Sequence, residues 1–159
     1  MKILVTGGLG YIGSHTCVEL LDSGYDVVVV DNLINSKEDV CNRIEKIAGK
    51  KIKFYKGDVC DKELIRKIFK DNKIDAVIHF AGLKAVGESV EKPILYYRNN
   101  IDSTLTLCEV MNEFNCKNII FSSSATVYGD PSKLPITEDT LVGNTTNPYG
   151  TSKLYIEGI

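Results

Sequence analysis

The chain has 159 residues, 43% of them hydrophobic, which is enough to bury the core of one domain. Its net charge of −2 gives no basic surface for a nucleic acid, and no apolar run approaches the length of a membrane span. Its five cysteines are odd in number and lack C-x-x-C spacing. We therefore expect reduced thiols in a cytoplasmic protein, with no metal site and no membrane or nucleic-acid partner.

An apolar run near the N-terminus leads into a turn that contains four glycines. Gly8, Gly10 and Gly13 fit the pattern G-x-G-x-x-G, and Gly7, Gly10 and Gly13 also fit a spacing of three. Glycines permit a tight strand-to-helix turn, and their missing Cβ atoms let backbone N–H groups approach a pyrophosphate. The helix that follows directs its partially positive N-terminus at the same anion. The turn therefore predicts a dinucleotide site.

An acidic residue follows the second apolar run at the distance that such a site requires. Asp31 directly follows the run Val27–Val30 and lies roughly 20 positions beyond the central glycine. At that distance a dinucleotide-binding fold places the acid that binds the ribose hydroxyls. A carboxylate would repel the 2′-phosphate of NADP, and no arginine stands beside Asp31. These residues predict NAD as the cofactor. The alternative is a glycine turn with an unrelated surface aspartate.

Strand-like runs and helical patterns alternate along the chain. Strands are predicted at Ile3–Thr6, Val27–Asp31, Lys53–Lys56, Ala76–Phe80 and Asn118–Ser122. Helices are predicted at Tyr11–Ser23, Lys37–Ala48, Lys62–Lys70, Pro93–Phe114 and from Pro148 onward. In the fourth helix, apolar side chains form a stripe at helical spacing: Ile94, Tyr97, Ile101, Leu105, Cys108 and Met111.

This alternation predicts an α/β fold, a Rossmann-like doubly wound parallel sheet over residues 1–159. The last helix has no stop signal before Ile159. We therefore expect the sheet to be incomplete at the C-terminus and a C-terminal substrate domain to be absent.

The last helix carries a pair of residues suited to proton transfer. Tyr149 and Lys153 lie four positions apart, so their side chains share one helix face. An ordinary tyrosine, with a pKa near 10, is a poor base at neutral pH, and a neighbouring ammonium stabilises its phenolate. Ser124, near the end of the fifth strand, could relay a proton or hold a sugar hydroxyl. Alone, the Tyr/Lys spacing is also typical of a solvated helix surface; after a dinucleotide turn it indicates catalysis.

Taken together, these motifs resemble the N-terminal portion of the extended short-chain dehydrogenases/reductases, and most closely their UDP-hexose 4-epimerase branch. The matching stretches are Val5–His15, Asp31–Leu33, Gly57–Val59, His79–Ser89, Asn99–Asn100, Phe121–Gly129 and Pro148–Lys153. The stretch His79–Ser89 is the most specific to that branch. The glycines, the aspartates and the Tyr/Lys pair are shared by the wider family.

The resemblance implies a set of roles, residue by residue. It implies NAD binding by Gly7, Gly10, Tyr11, Ile12, Gly13, Asp31, Asn32, Asn35, Ser36, Asp58, Val59, Phe80, Ala81, Lys84, Asn99, Tyr149 and Lys153. It implies substrate binding by Lys84, Ser124, Ala125, Thr126 and Tyr149. It implies catalysis by Tyr149, Lys153 and Ser124. For Phe80 a plain core position is the alternative, and for Lys84 and Asn99 a solvated surface position.

The implied reaction interconverts UDP-glucose and UDP-galactose through a 4-keto sugar, with transient hydride transfer to NAD. Related dehydratases carry an Asp-Glu pair where this chain has Ala125 and Thr126, which argues against dehydration. Another NAD-dependent nucleotide-sugar epimerase or reductase stays an alternative, as does a truncated, non-catalytic NAD-binding module. The family also implies a homodimer that pairs through the helix Pro93–Phe114 and the helix that contains Tyr149.

Overall fold

The computed structural model describes all residues from Met1 to Ile159. It contains one five-stranded sheet, whose strands are β1 (Lys2–Thr6), β2 (Asp26–Asp31), β3 (Lys53–Lys56), β4 (Ala76–His79) and β5 (Asn118–Phe121). Every pairing is parallel, and the strand order is β3-β2-β1-β4-β5. This is the predicted Rossmann-like sheet, and each predicted strand is confirmed to within one residue at either end.

Helices connect the strands. They are α1 (Tyr11–Asp22), α2 (Asp39–Ala48), α3 (Lys62–Asp71), α4 (Val86–Glu91), α5 (Pro93–Glu113) and α6 (Pro148–Glu157), with a short 3₁₀ helix at Ala125–Tyr128. Five of the helices were predicted. The pattern missed α4 and the 3₁₀ helix because one or two turns are too short to establish a periodicity. The last helix is present as predicted and extends to Glu157.

Two hydrophobic clusters cover the two faces of the sheet, because side chains alternate along each strand. One cluster joins strand residues such as Leu4, Val28 and Val77 to side chains of α3 and α5. The other joins alternate strand residues such as Val5 and Val29 to side chains of α1 and α2. The three central strands, β2, β1 and β4, read as nearly continuous apolar runs because helices bury both faces.

The chain divides into two compact units. The first comprises Met1–Ala81 and Thr106–Ser122, and it contains the sheet, α1, α2, α3 and the C-terminal part of α5. The second comprises Gly82–Leu105 and Ser123–Ile159, with α4, the N-terminal part of α5, the 3₁₀ helix and α6. None of the helices is both long and apolar enough to cross a lipid bilayer. None of the five cysteines forms a disulfide.

The buried face of α5 differs from the predicted apolar stripe. Of that stripe only Met111 is buried, while Ile94 and Leu105 are 73% and 42% exposed. The buried residues of the helix are instead Tyr96, Asn100, Ser103, Thr104, Leu107, Val110 and Met111. The stripe was misplaced because half of the true buried face is polar, and hydrophobic spacing does not detect polar residues whose hydrogen bonds are satisfied.

Candidate functional site

The glycine turn follows β1 and depends on close backbone packing. Gly7 has φ of +66°, and a Cβ there would lie 2.8 Å from the backbone nitrogen of Ala81. The Ala81 N–H donates to Thr6 Oγ1 over 3.2 Å, and Thr6 Oγ1 also pairs with His79 Nδ1 at 2.7 Å. A Cβ on Gly13 would overlap the Gly7 carbonyl oxygen. Glycine is therefore required at both positions, and His79 supports the turn through its hydrogen bond with Thr6.

The turn leaves the N-terminus of α1 open to an anion. Gly10 precedes the helix without a side-chain cap, and no acidic residue lies in the first turn. The first backbone N–H groups of a helix lack partners within the helix, and together with the dipole they favour a negative charge. Tyr11 and Ile12, the first two residues of α1, are 79% and 56% exposed. A phosphate therefore has both donors and access here.

Asp31 lies at the end of β2 and is 8% exposed. One carboxylate oxygen accepts a hydrogen bond from Leu9 N over 3.0 Å, and the other accepts from Leu33 N over 2.9 Å and from Ser36 Oγ over 2.8 Å. Asp31 thus ties the glycine turn to the loop after β2, a structural role that the sequence did not reveal. A carboxylate has about four acceptor positions, so capacity for a ribose hydroxyl remains.

A second carboxylate stands at the end of the neighbouring strand. Asn32 donates to Asp58 over 3.0 Å, and the Cys60 N–H donates to the other oxygen of Asp58 over 2.9 Å. Burial raises the pKa of Asp58, but these two hydrogen bonds outweigh it and hold the pKa below its ordinary value. The group is therefore an acceptor at neutral pH.

The other residues predicted for the cofactor occupy varied positions. Asn35 is exposed and Val59 is buried in the hydrophobic core. Phe80 and Ala81 follow β4 and are half-buried, each packed against a different core cluster. The side chain of Val59 is thus used for packing, whereas Asn35 is free to contact a ligand.

Tyr149 and Lys153 lie on one face of α6. The Lys153 Nζ atom lies 5.9 Å from the centroid of the Tyr149 ring. Lys153 is only 5% exposed, and burial lowers its pKa to about 8. Tyr149 is half-buried. The helix begins at Pro148, and the Asn147 side chain caps it by accepting from Gly150 N over 2.8 Å.

Ser124 precedes the 3₁₀ helix and caps it. Its Oγ accepts from Thr126 N over 3.2 Å and from Thr126 Oγ1 over 2.9 Å. A Cβ on Gly150 would lie 3.0 Å from the Thr126 carbonyl oxygen, so the start of α6 packs closely on the 3₁₀ helix. Thr126, two residues after Ser124, therefore packs against Gly150, the residue that follows Tyr149. Ala125, the third substrate candidate here, is exposed.

An open cavity of about 400 Å³ adjoins Ser123 and Ser124. Its lining includes Ser123, Ser124, Ala125, Thr137 and Glu138. Neither Tyr149 nor Lys153 is among the residues that line it.

Asn100, the neighbour of the predicted cofactor residue Asn99, has a buried structural role that the sequence did not reveal. Asn100 is 2% exposed; its Oδ1 accepts from Leu83 N over 2.8 Å and its Nδ2 donates to Leu83 O over 3.0 Å. Nδ2 also donates to Ser152 Oγ over 3.0 Å, and Ser152 Oγ donates to the Tyr149 carbonyl oxygen over 2.7 Å. Asn99 is half-buried and Lys84 is exposed. The sequence feature that could have pointed to Asn100 is a polar residue in the middle of a long helix.

Comparison with protein families gives one match over nearly the whole chain. The model of the "NAD dependent epimerase/dehydratase family" matches residues 3–159. Curated relatives include the UDP-glucose 4-epimerases of Haemophilus influenzae and Bacillus subtilis, which are 61% and 59% identical over 159 residues. Each alignment covers 100% of this chain and 47% of the relative. The chain therefore spans about half the length of the curated relatives it matches.

Solved structures agree with these relatives. The UDP-glucose 4-epimerase of Bifidobacterium longum, in complex with NAD+ and UDP, matches 99% of this chain and 47% of its own with a TM-score of 0.98 and 61% identity. The enzyme of Stenotrophomonas maltophila, with bound NAD and formylated UDP-arabinopyranose, matches the same shares with a TM-score of 0.96 and 43% identity. The chain belongs to the NAD dependent epimerase/dehydratase family.

Proposed function

We propose that the chain carries the NAD-binding and proton-transfer part of a UDP-glucose 4-epimerase. The observation that carries the proposal is the pairing of a buried lysine with a tyrosine on α6, in a chain that also contains an open glycine turn. Relatives of about 60% identity are UDP-glucose 4-epimerases, and one solved relative holds both NAD+ and UDP.

The residues of the first unit fit a dinucleotide. The uncapped start of α1 offers N–H donors for the pyrophosphate, and the glycines remove the side chains that would obstruct it. Asp31 retains acceptor capacity for ribose hydroxyls, and its negative charge disfavours NADP. Gly7, Gly10, Gly13, Tyr11 and Ile12 would hold the phosphates.

Tyr149 takes the proton from the 4-hydroxyl of the sugar and later returns it. Lys153, with a pKa of about 8, is mostly an ammonium at neutral pH, and its charge stabilises the phenolate that a tyrosine base requires. Ser124 positions the same hydroxyl, since Thr126 Oγ1 already donates to Ser124 Oγ and leaves the serine proton for the substrate. When bound, NAD supplies reversible hydride acceptance at C4.

Two residues argue against dehydration as the reaction. Ala125 and Thr126 follow Ser124, and neither side chain can exchange a proton as a carboxyl group can. These two positions therefore offer no carboxyl group to assist the loss of water from the sugar. The substrates are UDP-glucose and UDP-galactose.

A chimera tests the proposal directly. Residues 1–159 of this chain replace the corresponding half of the Bacillus subtilis enzyme, with which they share 59% identity. We expect the chimera to convert UDP-galactose to UDP-glucose without net formation of NADH. Tyr149→Phe should keep NAD binding and reduce turnover at least 100-fold, because it removes the acid–base group alone. A folded chimera that binds NAD and leaves UDP-galactose unchanged would refute the proposal.

The isolated chain gives the second arm of the test. Because it spans about half the length of its relatives, NAD binding without turnover by residues 1–159 alone is expected under both hypotheses, and only together with an inactive chimera would it favour the non-catalytic module. Accumulation of NADH with a nucleotide sugar would instead favour a dehydrogenase. Calorimetric titration with NAD and an epimerase assay on the same preparation distinguish these outcomes.

We also propose that the protein forms a homodimer in the cytoplasm. Exposed apolar side chains lie on α5 and α6, where Ile94, Leu105 and Tyr155 are 73%, 42% and 57% exposed. The ring of Tyr155 stacks on Tyr97 with centroids 6.4 Å apart, which joins the two helices into one surface. Light scattering should give twice the monomer mass, and Leu105→Asp should give a monomer. The odd number of cysteines, without C-x-x-C spacing, favours a reducing compartment, which cell fractionation would test.

A further inference from the structure

The buried phenol of Tyr96, a residue of α5 that the mechanism above does not use, contacts the start of α4. Tyr96 is the largest of the fully buried side chains, at 0% exposure. Its hydroxyl accepts a hydrogen bond from Ala85 N over 3.1 Å and donates to Glu88 Oε2 over 2.9 Å. Lys92 donates to the other oxygen of Glu88 over 3.1 Å. The phenol therefore links a backbone N–H to a charged carboxylate.

This arrangement is a capping box with a phenol inserted into it. Ala85 is the N-cap residue of α4 and has no side-chain cap, while Glu88 stands at the third helical position. In an ordinary capping box the glutamate at that position accepts directly from the N-cap N–H. Here Tyr96, which comes from α5, bridges the two groups. The start of α4 is thereby attached to a long helix.

The attached segment is the one that carries Lys84. The side-chain oxygen and nitrogen of Asn100 both form hydrogen bonds with the backbone of Leu83. The hydroxyl of Tyr96, one turn earlier on α5, accepts a hydrogen bond from the backbone N–H of Ala85. Lys84 lies between these two anchors and is exposed. A Cβ on Gly82, at the start of the segment, would lie 3.9 Å from Lys153 Nζ. The segment therefore runs beside the buried lysine of α6.

We propose that Tyr96, through its bond to Ala85, is a positioning residue that fixes the direction of Lys84 for ligand binding. The inference rests on the proposed function, together with the NAD- and substrate-binding role that the family resemblance implies for Lys84. Burial, and next the bond to Glu88, raise the pKa of Tyr96, so the hydroxyl keeps its proton and donates at all physiological pH values. The carboxylate orients that proton and leaves the oxygen lone pair toward Ala85.

Amide hydrogen exchange on the 159-residue chain tests the anchor itself. In Tyr96→Phe, the Ala85 amide should exchange at least tenfold faster, because its acceptor is gone. The Leu83 amide is the internal reference and should not change, since Asn100 still holds it. Glu88→Gln, which keeps an acceptor for the phenol, should retain most of the Ala85 protection, and Glu88→Ala should lose it. Unchanged Ala85 exchange in Tyr96→Phe would overturn the inference.

A double-mutant cycle tests the action through Lys84. Tyr96→Phe should weaken NAD binding by about fivefold, the effect of one net hydrogen bond. In a Lys84→Ala background the same change should have no further effect, because the positioned group is absent. Tyr97→Phe is the matched control, since it removes a neighbouring hydroxyl and leaves the ring that stacks on Tyr155.

The outcomes separate the two proposals. Failure of the wild-type chain to bind NAD would overturn the proposed function and this inference with it. If the wild type binds NAD, equal affinity in Tyr96→Phe overturns only the positioning role. An equal loss with and without Lys84 would mean that Tyr96 acts on the fold in general, which also overturns it.

Discussion

Replacing Lys153 by methionine should stabilise the fold while removing the catalytic ammonium. Burial lowers the pKa of Lys153 from an ordinary 10.5 to about 8. Each pKa unit corresponds to 1.36 kcal/mol, so keeping the charge in the folded state costs about 3 kcal/mol at pH 7. Methionine has a similar length and no charge. We therefore expect a gain in the free energy of unfolding of up to about 3 kcal/mol.

The pH dependence gives this prediction its specific signature. Below pH 8 the lysine is protonated in both states, and the full cost is present. Between pH 8 and 10.5 the folded state releases its proton while the unfolded state keeps it, so the wild type gains stability as the pH rises. The variant gains nothing there, and at pH 10 the difference should fall to about 1 kcal/mol.

Urea unfolding followed by circular dichroism at pH 7 and pH 10 measures both quantities. Lys84→Met is the control, because that lysine is exposed and its replacement should change stability by less than about 0.5 kcal/mol. A Lys153→Met variant that is less stable than the wild type at pH 7 would refute the reasoning. So would a stability difference that does not shrink at pH 10.

Three further changes test individual contacts. Asp31→Ala removes the acceptor of three hydrogen bonds and should lower the free energy of unfolding by about 1–3 kcal/mol in urea and weaken NAD binding in calorimetry; unchanged stability would contradict the structure. Gly13→Ala should lower the free energy of unfolding by about 1–3 kcal/mol, because its Cβ meets the Gly7 carbonyl oxygen. Gly87→Ala, with open space around it, should be neutral or stabilising, and thermal unfolding of both variants measures the difference. Ser152→Ala leaves the buried Asn100 amide with one unpaired hydrogen and should cost about 1–3 kcal/mol in urea, and a neutral result would mean that the hydrogen bond is not made.

The parts of the molecule that the sequence predicted are those encoded by neighbouring residues. Val27–Val30 and the glycine turn are continuous along the chain, and they predict a strand, its acid and the following helix without knowledge of any distant contact. The spacing of Tyr149 and Lys153 is likewise local, and α6 holds the two side chains on one face. The parallel order of the sheet follows because helical crossovers separate strands that cannot form hairpins.

The parts that were missed depend on residues far apart in the chain. Asn100 reaches Leu83 and Ser152, and nothing near Asn100 in the sequence indicates either partner. The helix α4 is a single six-residue stretch whose N-terminus is satisfied by Tyr96, so its local sequence has no cap of its own. Periodicity records where apolar residues recur, and it has no means of detecting buried polar partners.

The two halves of α5 show why this distinction matters for the site. Leu107 and Val110, in the C-terminal half, are buried in the apolar cluster under the sheet, where burial is favourable in many orientations. Tyr96 and Asn100, in the N-terminal half, are buried as hydrogen-bond partners of the 83–85 backbone. Hydrogen bonds constrain distance and angle, so they fix a segment in one position where apolar packing would tolerate several. Under the positioning role proposed for Tyr96, this constraint holds the segment that carries Lys84 in one position, which would account for the polar buried face at this end of the helix.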